Sequence, residues 1–455
     1  MHARTGVVAS ARFRYNPSLS PSLILAILLK MAFKTAMNSV SAQRVCIVGL
    51  GYIGLPTAAV MADRGYDVCG VDVREDVVDT INRGEIHIVE PHLGKLVERV
   101  VSEGRLKASL EPSEADVFFI CVPTPINADK SPDLTYVRSA AEAIRPFIRA
   151  GNSVILESTS PPCTTQDVVV PSAIPEELEI GRDVFVAYCP ERVLPGRILL
   201  EVVGNDRVVG GMTPECTRRV KGFYETFVEG EVLATTALTA EITKLTENAF
   251  RDVNIAFANE LSMLAGELGA DPFEIIRLAN RHPRVNILTP GPGVGGHCIS
   301  VDPWFLVHSS GERTPLIRTA REVNLSKPEY VVEQVLNAVG DTNRVVGCLG
   351  LTYKPDVDDV RESPSLHVVE RLVEARVANL RVCDPFVKDA EVFGLPLQSL
   401  DELLAESHVI VLLTDHRVFR NIDPGQFVGK TVIDTRGVWD EREYAERVQT
   451  VRWAA

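Results

Sequence analysis

The stretch RVCIVGLGYIGLPTAAVMADRGYDVCGVDV, residues 44–73, narrows the possible folds more than any other part of the chain. An apolar run, Val45 to Val48, breaks into Gly49, Gly51 and Gly54. Small residues suited to a tightly packed helix follow from Leu55 to Met61, and a second apolar run ends at Asp72. This is the order strand, glycine turn, helix, strand, acid. Two parallel strands need such a crossover, so the segment predicts a βαβ unit. Gly49, Gly51 and Gly54 permit a tight turn and let a pyrophosphate approach bare N–H groups at a helix start. Asp72, about eighteen residues past Gly54, can accept a hydrogen bond from a ribose 2′-OH and would repel a 2′-phosphate. The expected cofactor is therefore NAD rather than NADP.

The runs VFFICV, SVILES, VFVAYC and RVVGG alternate with amphipathic stretches and extend this unit into a parallel sheet. From about Leu238 to Leu268 the chain has no proline, and Ile242, Leu245, Ala249, Ala256, Leu261 and Leu264 recur at roughly helical spacing. The spacing predicts one helix of more than about twenty-five residues, buried against a partner subunit or a neighbouring domain. After about Tyr330 the α/β alternation returns in RVVGCLGLTYKP, NLRVCDP, SHVIVLLTDH and KTVIDTRGV, in the order of the first sheet. The expectation is an α/β protein of two Rossmann-like parallel-sheet domains, 44–236 and 331–455, joined by a central helical segment, 237–330. The second copy carries Tyr353, Lys354 and Pro355 where glycines would stand, so it should bind something other than a dinucleotide. Residues 1–43 are basic, with an apolar run from Leu23 to Leu29 too short to cross a bilayer. They are expected to be poorly ordered and to reflect an over-extended start rather than a signal peptide.

The length of 455 residues suits two or three domains. The net charge of -14 argues against nucleic acid as a partner, because phosphate neutralisation needs a basic surface. Nine cysteines, an odd number with no CxxC pair, fit reduced thiols in the cytoplasm and no metal site. Cys46, Cys69, Cys121, Cys348 and Cys383 sit in or beside strand-like runs and should be buried. Cys298 differs, because it follows four glycines crowded into PGPGVGGHC.

Several groups are placed for chemistry. Lys244, Asn248 and Arg251 fall on one helix face; they form either a solvated polar face or a cation and an amide aimed into a cleft, where Lys244 could serve an alcohol as acid, base or oxyanion partner. Thr124, Thr159, Glu191 and Arg192 would stand at the carboxyl ends of parallel strands, where ligands bind in open α/β sheets. His282 and Arg284 precede the glycine loop, whose amides can cradle a diphosphate and present Cys298 to whatever the anion carries.

GLGYIG, KLTENAFRD, GPGVGGHC and YKPDVDDVRESP occur in this order, and past Arg44 the chain resembles the UDP-glucose/GDP-mannose dehydrogenase family over nearly its whole length. INRGEIHIVEP, YCPERVLPG, NRHPRVNI and GGHCISVDPWF look like the branch that acts on UDP-N-acetyl-D-mannosamine rather than UDP-glucose. The resemblance implies a two-fold, NAD-dependent oxidation of a sugar C6 alcohol to a carboxylate through a cysteine thiohemiacetal and thioester. UDP-N-acetyl-D-glucosamine is the alternative substrate, and a non-catalytic sensor of NAD or nucleotide sugar the alternative class. It also implies an NAD-binding, a central dimerisation and a UDP-binding domain, a homodimer, and a pathway of polysaccharide biosynthesis. By motif, Cys298 corresponds to the nucleophile, Lys244 to the lysine that assists proton transfer with Asn248 beside it, and Asp302 to water or proton handling. Tyr52, Ile53, Asp72, Thr124, Thr159 and Arg361 fall at NAD contacts. Glu191, Arg192, Val193, Arg251, His282, Arg284, Gly293, Tyr353 and Lys354 fall at substrate contacts, with His282 and Arg284 reaching across the dimer. Pro195 stands near a position where UDP-glucose enzymes carry a second glutamate, which leaves the base for thioester hydrolysis open. Arg436 replaces a lysine, so only its cationic role is carried over.

Overall fold

The computed structural model describes residues 43–194, 196–340 and 343–439, and the backbone of 452–453. Apart from Gln43, the N-terminal extension lies outside the described residues, as does Pro195.

The first sheet has eight strands in the order β3-β2-β1-β4-β5-β6-β7-β8. They are β1 (Arg44–Val48), β2 (Asp67–Val71), β3 (Leu106–Ser109), β4 (Val117–Ile120), β5 (Ser153–Leu156), β6 (Phe185–Tyr188), β7 (Arg207–Gly211) and β8 (Val232–Thr236). All pairs are parallel except β6 with β7. β1 is apolar on both faces because both are covered. Val45 and Ile47 pack in one core with Leu55, Val60 and Met61, and Cys46 and Val48 in another with Phe118 and Val154. Helix α1 (Gly54–Asp63) is built from GLPTAAVMAD, and every residue from Gly54 to Ala62 is buried. Small side chains let it lie close to the sheet. The order reverses between β1 and β4, which opens a crevice above their carboxyl ends.

Helix α2 (Ala237–Leu268) runs for 32 residues, capped at its start by the Thr236 hydroxyl and closed by Gly269 at φ 72. Its buried face is not the predicted stripe. Leu245, Ala249 and Ala256 are buried, but Ile242 is 39% and Leu264 51% exposed. Period alone cannot separate two apolar faces of one helix. The inward face carries Glu241, Lys244, Asn248, Asp252, Asn259 and Ser262 instead, each buried. Phe250, Phe257 and Leu264 form an exposed outer row. Helices α3 (Pro272–Ala279), α4 (Asp302–Ser310) and α5 (Pro315–Val339) complete the middle of the molecule.

The second sheet runs β10-β9-β13-β14-β15. Its strands are β9 (Val346–Leu349), β10 (Leu380–Cys383), β13 (Val409–Leu412), β14 (Thr431–Asp434) and β15 (Arg452–Trp453), all parallel. A short hairpin, β11 (Glu391–Val392) with β12 (Leu395–Pro396), follows β10. The arrangement repeats β2-β1-β4-β5-β6 of the first sheet. Cys46, Cys348 and Cys383 are buried, whereas Cys69 and Cys121 are only partly so, because each packs at the margin of a core rather than inside it. No helix among the described residues is long and apolar enough to cross a membrane, and no cluster of metal-ligating side chains occurs among them.

Candidate active site

The glycine turn after β1 explains its own composition. Gly49 sits at φ +95, and a Cβ there would lie 2.5 Å from the Cys121 carbonyl oxygen; one at Gly54 would lie 1.8 Å from the Gly49 oxygen. A Cβ at Gly51 would meet nothing within 4 Å, so that residue presents bare backbone to open space. The Asp72 carboxylate accepts N–H groups from Leu50 at 3.1 Å and Arg74 at 3.0 Å, which locks the acid beside the turn. Tyr52 is exposed and Ile53 half-buried on the same rim. Thr124, after β4, donates to the Thr159 carbonyl at 2.5 Å and ties two strand ends together. These features fit a dinucleotide: a bare helix start for a pyrophosphate and a fixed acid for a ribose.

A second cluster faces that rim. Lys244 Nζ lies 3.3 Å from Asp302 Oδ2, and Asn248 Nδ2 donates to the same oxygen at 2.6 Å. All three are buried at 7% exposure or less. One helical turn separates Lys244 from Asn248, so both reach one acceptor. Asp302 opens α4, where a carboxylate suits the helix dipole, and its N–H donates to the Cys298 carbonyl at 2.8 Å. This bond places the thiol beside the carboxylate. Burial raises the Asp302 pKa, opposed by Lys244 and Asn248. Cys298 keeps exposed surface in a crowded cleft. Burial raises its thiol and Asp302 adds to this, while Lys244 and Arg251 pull it down. Arg251, on the same helix face, is exposed.

The glycine loop is held from the second sheet. A Cβ at Gly296 would lie 2.7 Å from the Tyr353 ring, and one at Gly295 would lie 2.3 Å from the Glu362 carbonyl. At Gly293, φ +149, it would press on Pro364 at 2.8 Å. Arg436 donates to the Pro290 carbonyl at 3.1 Å and to Asp415 at 3.0 Å. Tyr353, Arg361 and Tyr52 influence one another electrostatically, so the turn 353–361 closes over the nucleotide rim. Arg361 is paired with Asp359 at 2.7 Å. Lys354 stands half-buried in the same turn.

Other expected residues are committed elsewhere. Glu191 pairs with the buried Arg207 at 2.5 Å and accepts the Arg192 N–H at 2.7 Å. Arg192 bridges to Glu247 on α2 at 2.8 Å, with half-buried Val193 beside it. His282 and Arg284 are exposed after α3, and the Arg284 N–H donates to His282 Nδ1 at 3.4 Å.

Sequence reasoning missed the buried polar residues that hold these parts. Glu90 accepts N–H groups from Gly196 and Ile198, both at 2.8 Å, and anchors the ERVLPG loop. Asp252 accepts from Arg321 at 2.6 Å and Asn324 at 2.8 Å; Asn324 accepts from Asn259 at 2.9 Å, and Asn259 in turn accepts the Gly291 N–H at 2.9 Å. This chain links α2, α5 and the glycine loop. Its signal in the sequence was polar residues, Asp252, Asn259 and Ser262, in register with buried positions of a helix.

The fold and this cleft fit a dinucleotide-dependent dehydrogenase, and the matched domains make it an NAD-dependent dehydrogenase of a UDP-sugar. The NAD binding, central and UDP binding domains of the UDP-glucose/GDP-mannose dehydrogenase family match residues 43–228, 238–326 and 347–441. The chain belongs to this family. It is 49% identical over 414 residues to the UDP-N-acetyl-D-mannosamine dehydrogenase of Escherichia coli, covering 87% of this chain and 99% of that one. It is equally 49% identical over 413 residues to an NDP-N-acetyl-D-galactosaminuronic acid dehydrogenase of Ralstonia solanacearum, covering 89% and 98%. Among solved structures it is similar to the UDP-N-acetyl-mannosamine dehydrogenase of S. aureus, with TM-score 0.81, 41% identity, and coverage of 90% and 98%. The corresponding Pyrococcus horikoshii enzyme gives TM-score 0.80, 38% identity, and coverage of 90% and 99%.

Proposed function

We propose that the chain oxidises the C6 alcohol of UDP-N-acetyl-D-mannosamine to UDP-N-acetyl-D-mannosaminuronate, with Cys298 as the covalent nucleophile. The observation that carries the reading is the buried triad of Lys244, Asn248 and Asp302 set beside the one thiol on the glycine loop. NAD supplies a hydride acceptor for each of the two oxidations. Asp302, with its raised pKa, takes the proton of the C6 hydroxyl. The resulting aldehyde stays in the cleft, and the Cys298 sulfur adds to its carbonyl carbon as its proton passes to solvent through the open side of the cleft. Lys244 and Asn248 donate to the oxygen that gains charge. Loss of the second hydride leaves a thioester on Cys298. Water attacks it, one of its protons passes to Asp302, which has by then released its earlier proton to solvent, and the sulfur takes the other and departs as a thiol while the carboxylate forms. Glu191 is a poor candidate for the base, because Arg207 and the Arg192 N–H already engage both of its oxygens.

The diphosphate would lie along the glycine loop between Arg436 and the turn of Tyr353 and Lys354. His282 and Arg284, exposed in one chain, would serve the cleft of a second subunit. Phe250, Phe257 and Leu264, 67%, 56% and 51% exposed at heptad spacing on α2, supply an apolar seam for that homodimer.

The equal similarity to the Ralstonia protein favours one second reading, an N-acetylgalactosamine substrate. The test is NADH formed per sugar consumed with the UDP-linked N-acetyl-mannosamine, N-acetyl-glucosamine and N-acetyl-galactosamine side by side. The expected result is two NADH per UDP-N-acetyl-D-mannosamine and little turnover of the others. Preference for another epimer overturns the substrate. Uronate formed by Cys298→Ser at the parent rate overturns the mechanism.

A further inference from the structure

Cys46 in β1 and Cys69 in β2 are register partners, and Lys107 in β3 is in turn the partner of Cys69. Register partners in a sheet project from the same face. Cys46 accordingly lies in the core with Phe118 and Val154, and Cys69 packs at the edge of that core. β3 is the edge strand. The row therefore runs from an exposed ammonium, through a half-buried thiol, to a fully buried thiol. The two thiols are neighbours across β1 and β2, and Ser113 acts on both. Chiefly because Cys46 donates to it, the Cys69 thiol is brought down to about 6; Ser113 and Lys107 help, against burial. Cys46 is pushed well up, first by that same bond and then by burial. The half-buried thiol is thus the one drawn toward the thiolate, and its fully buried register partner on the same face keeps its proton, which is the division of labour of an attacking and a resolving cysteine.

We propose that Cys46 and Cys69 form a reversible oxidation site, and that their disulfide weakens NAD binding. The oxidant is a small disulfide such as oxidised glutathione. Cys69 thiolate attacks one of its sulfurs, giving a mixed disulfide and one glutathione thiolate. Capping Cys69 removes the bond that most restrains Cys46. Cys46 then attacks the Cys69 sulfur and passes its proton to the second glutathione sulfur, which departs as a thiol. Two protein thiols are oxidised and one small disulfide is reduced to two thiols. Adjacent strands lie about 4.8 Å apart, within the Cα range of disulfides, but the Cβ atoms must approach to about 3.8 Å. The strands must therefore draw together by on the order of 1 Å. Gly49 and Asp72 lie three residues beyond the two cysteines. The turn they frame depends on Gly49 N–H to Val71 O at 2.8 Å and Leu50 N–H to Asp72 at 3.1 Å, so such a shift distorts the nucleotide turn.

The experiment uses full-length Cys298→Ala protein, which removes oxidation of the cleft thiol from the readout. It is treated with oxidised glutathione, with and without later dithiothreitol, then titrated with NAD by calorimetry and mapped by peptide mass spectrometry. The expected result is a Cys46–Cys69 linked peptide two hydrogens lighter than the free pair. NAD affinity should be several-fold weaker and recover on reduction, and adding Cys69→Ser should abolish both changes. Absence of the linked peptide overturns the site. A linked peptide with unchanged NAD affinity, or the same loss of affinity in the Cys69→Ser protein, overturns its coupling to the cofactor.

Discussion

Replacing Lys244 with methionine tests the heart of the cleft. The Lys244–Asp302 pair spans 3.3 Å, with side chains 8% and 3% exposed. Methionine preserves most of the stem's volume but strands the carboxylate, leaving only Asn248 at 2.6 Å as its donor. Removing one partner of a buried pair costs about 3–5 kcal/mol. At roughly 2–4 °C per kcal/mol for a domain of ordinary size, the melting temperature should fall by on the order of 10 °C. Lys244 is also the leading group that restrains the Asp302 and Cys298 pKa values, so both should climb further. The decisive comparison is the double variant Lys244→Met with Asp302→Asn. The neutral amide removes the stranded charge, so the double variant should recover more than half of the lost stability in thermal melts. Its turnover should stay at least a hundredfold down, the scale of a lost general acid or base. If the single variant melts within a degree or two of the parent, or the double variant is less stable than either single one, the ion pair is not what organises the cleft.

Two further substitutions probe separate features. Glu157, buried beside Glu191 and Arg207, has its carboxyl raised to about 7 chiefly by burial, and it accepts the Tyr224 hydroxyl at 2.6 Å. A raised folded-state pKa gives stability that is present below the unfolded value of 4.5 and is lost as pH rises through about 7. Glu157→Gln should therefore flatten the fall in melting temperature between those values and raise stability at pH 8; an unchanged slope counts against the assignment. Phe250→Glu with Phe257→Glu should convert the protein to monomers in analytical ultracentrifugation and lower turnover, whereas an intact oligomer would move the interface away from α2.

The parts of this molecule that were legible in the sequence are those governed by local rules. The glycine turn needs Gly49 and Gly54 because neighbouring backbone lies within 2.5 Å of their missing Cβ atoms, and that need is written in a short motif. Lys244 and Asn248 share an acceptor because a helix repeats every 3.6 residues. What was hidden depends on distant partners. Asp252 meets Arg321 across 69 positions, and Cys121 meets Glu157 across 36. No period connects such pairs, and each half looks like an ordinary surface charge or core thiol. The α2 stripe failed for a related reason: Leu264 and Ala256 both look apolar, and only the packing says that one faces inward and the other outward. The apolar strand around Cys69 reads as fully buried, whereas its place next to the edge strand leaves the thiol half-exposed, and no local pattern carries that information.

The repeat between the two sheets explains how one architecture serves two ligands. Gly350 follows β9 at φ +92 as Gly49 follows β1 at φ +95. Asp384 after β10 accepts the Leu351 N–H at 2.7 Å, as Asp72 after β2 accepts that of Leu50. The copies diverge beyond this point. Asp384 also accepts the Phe386 N–H at 2.8 Å and pairs with fully buried His416 at 3.0 Å. The other His416 nitrogen accepts the Asp356 N–H at 2.9 Å, so the ring carries its proton toward the carboxylate. Burial opposes ionisation of Asp384, yet the His416 bond and the N–H groups of Leu351 and Phe386 hold its pKa below the ordinary value. The acid that is free to meet a ribose in the first sheet is spent in the second on fixing the turn of Tyr353 and Lys354. Asp384→Ala should therefore loosen that turn. Losing several hydrogen bonds to a charge, each worth about 1.5–3 kcal/mol, should raise KM for the UDP-sugar at least tenfold and leave KM for NAD within about twofold. Steady-state kinetics with each substrate varied in turn decides it. Equal increases in both constants would mean that Asp384 supports the whole closure between the sheets rather than the sugar-facing turn alone.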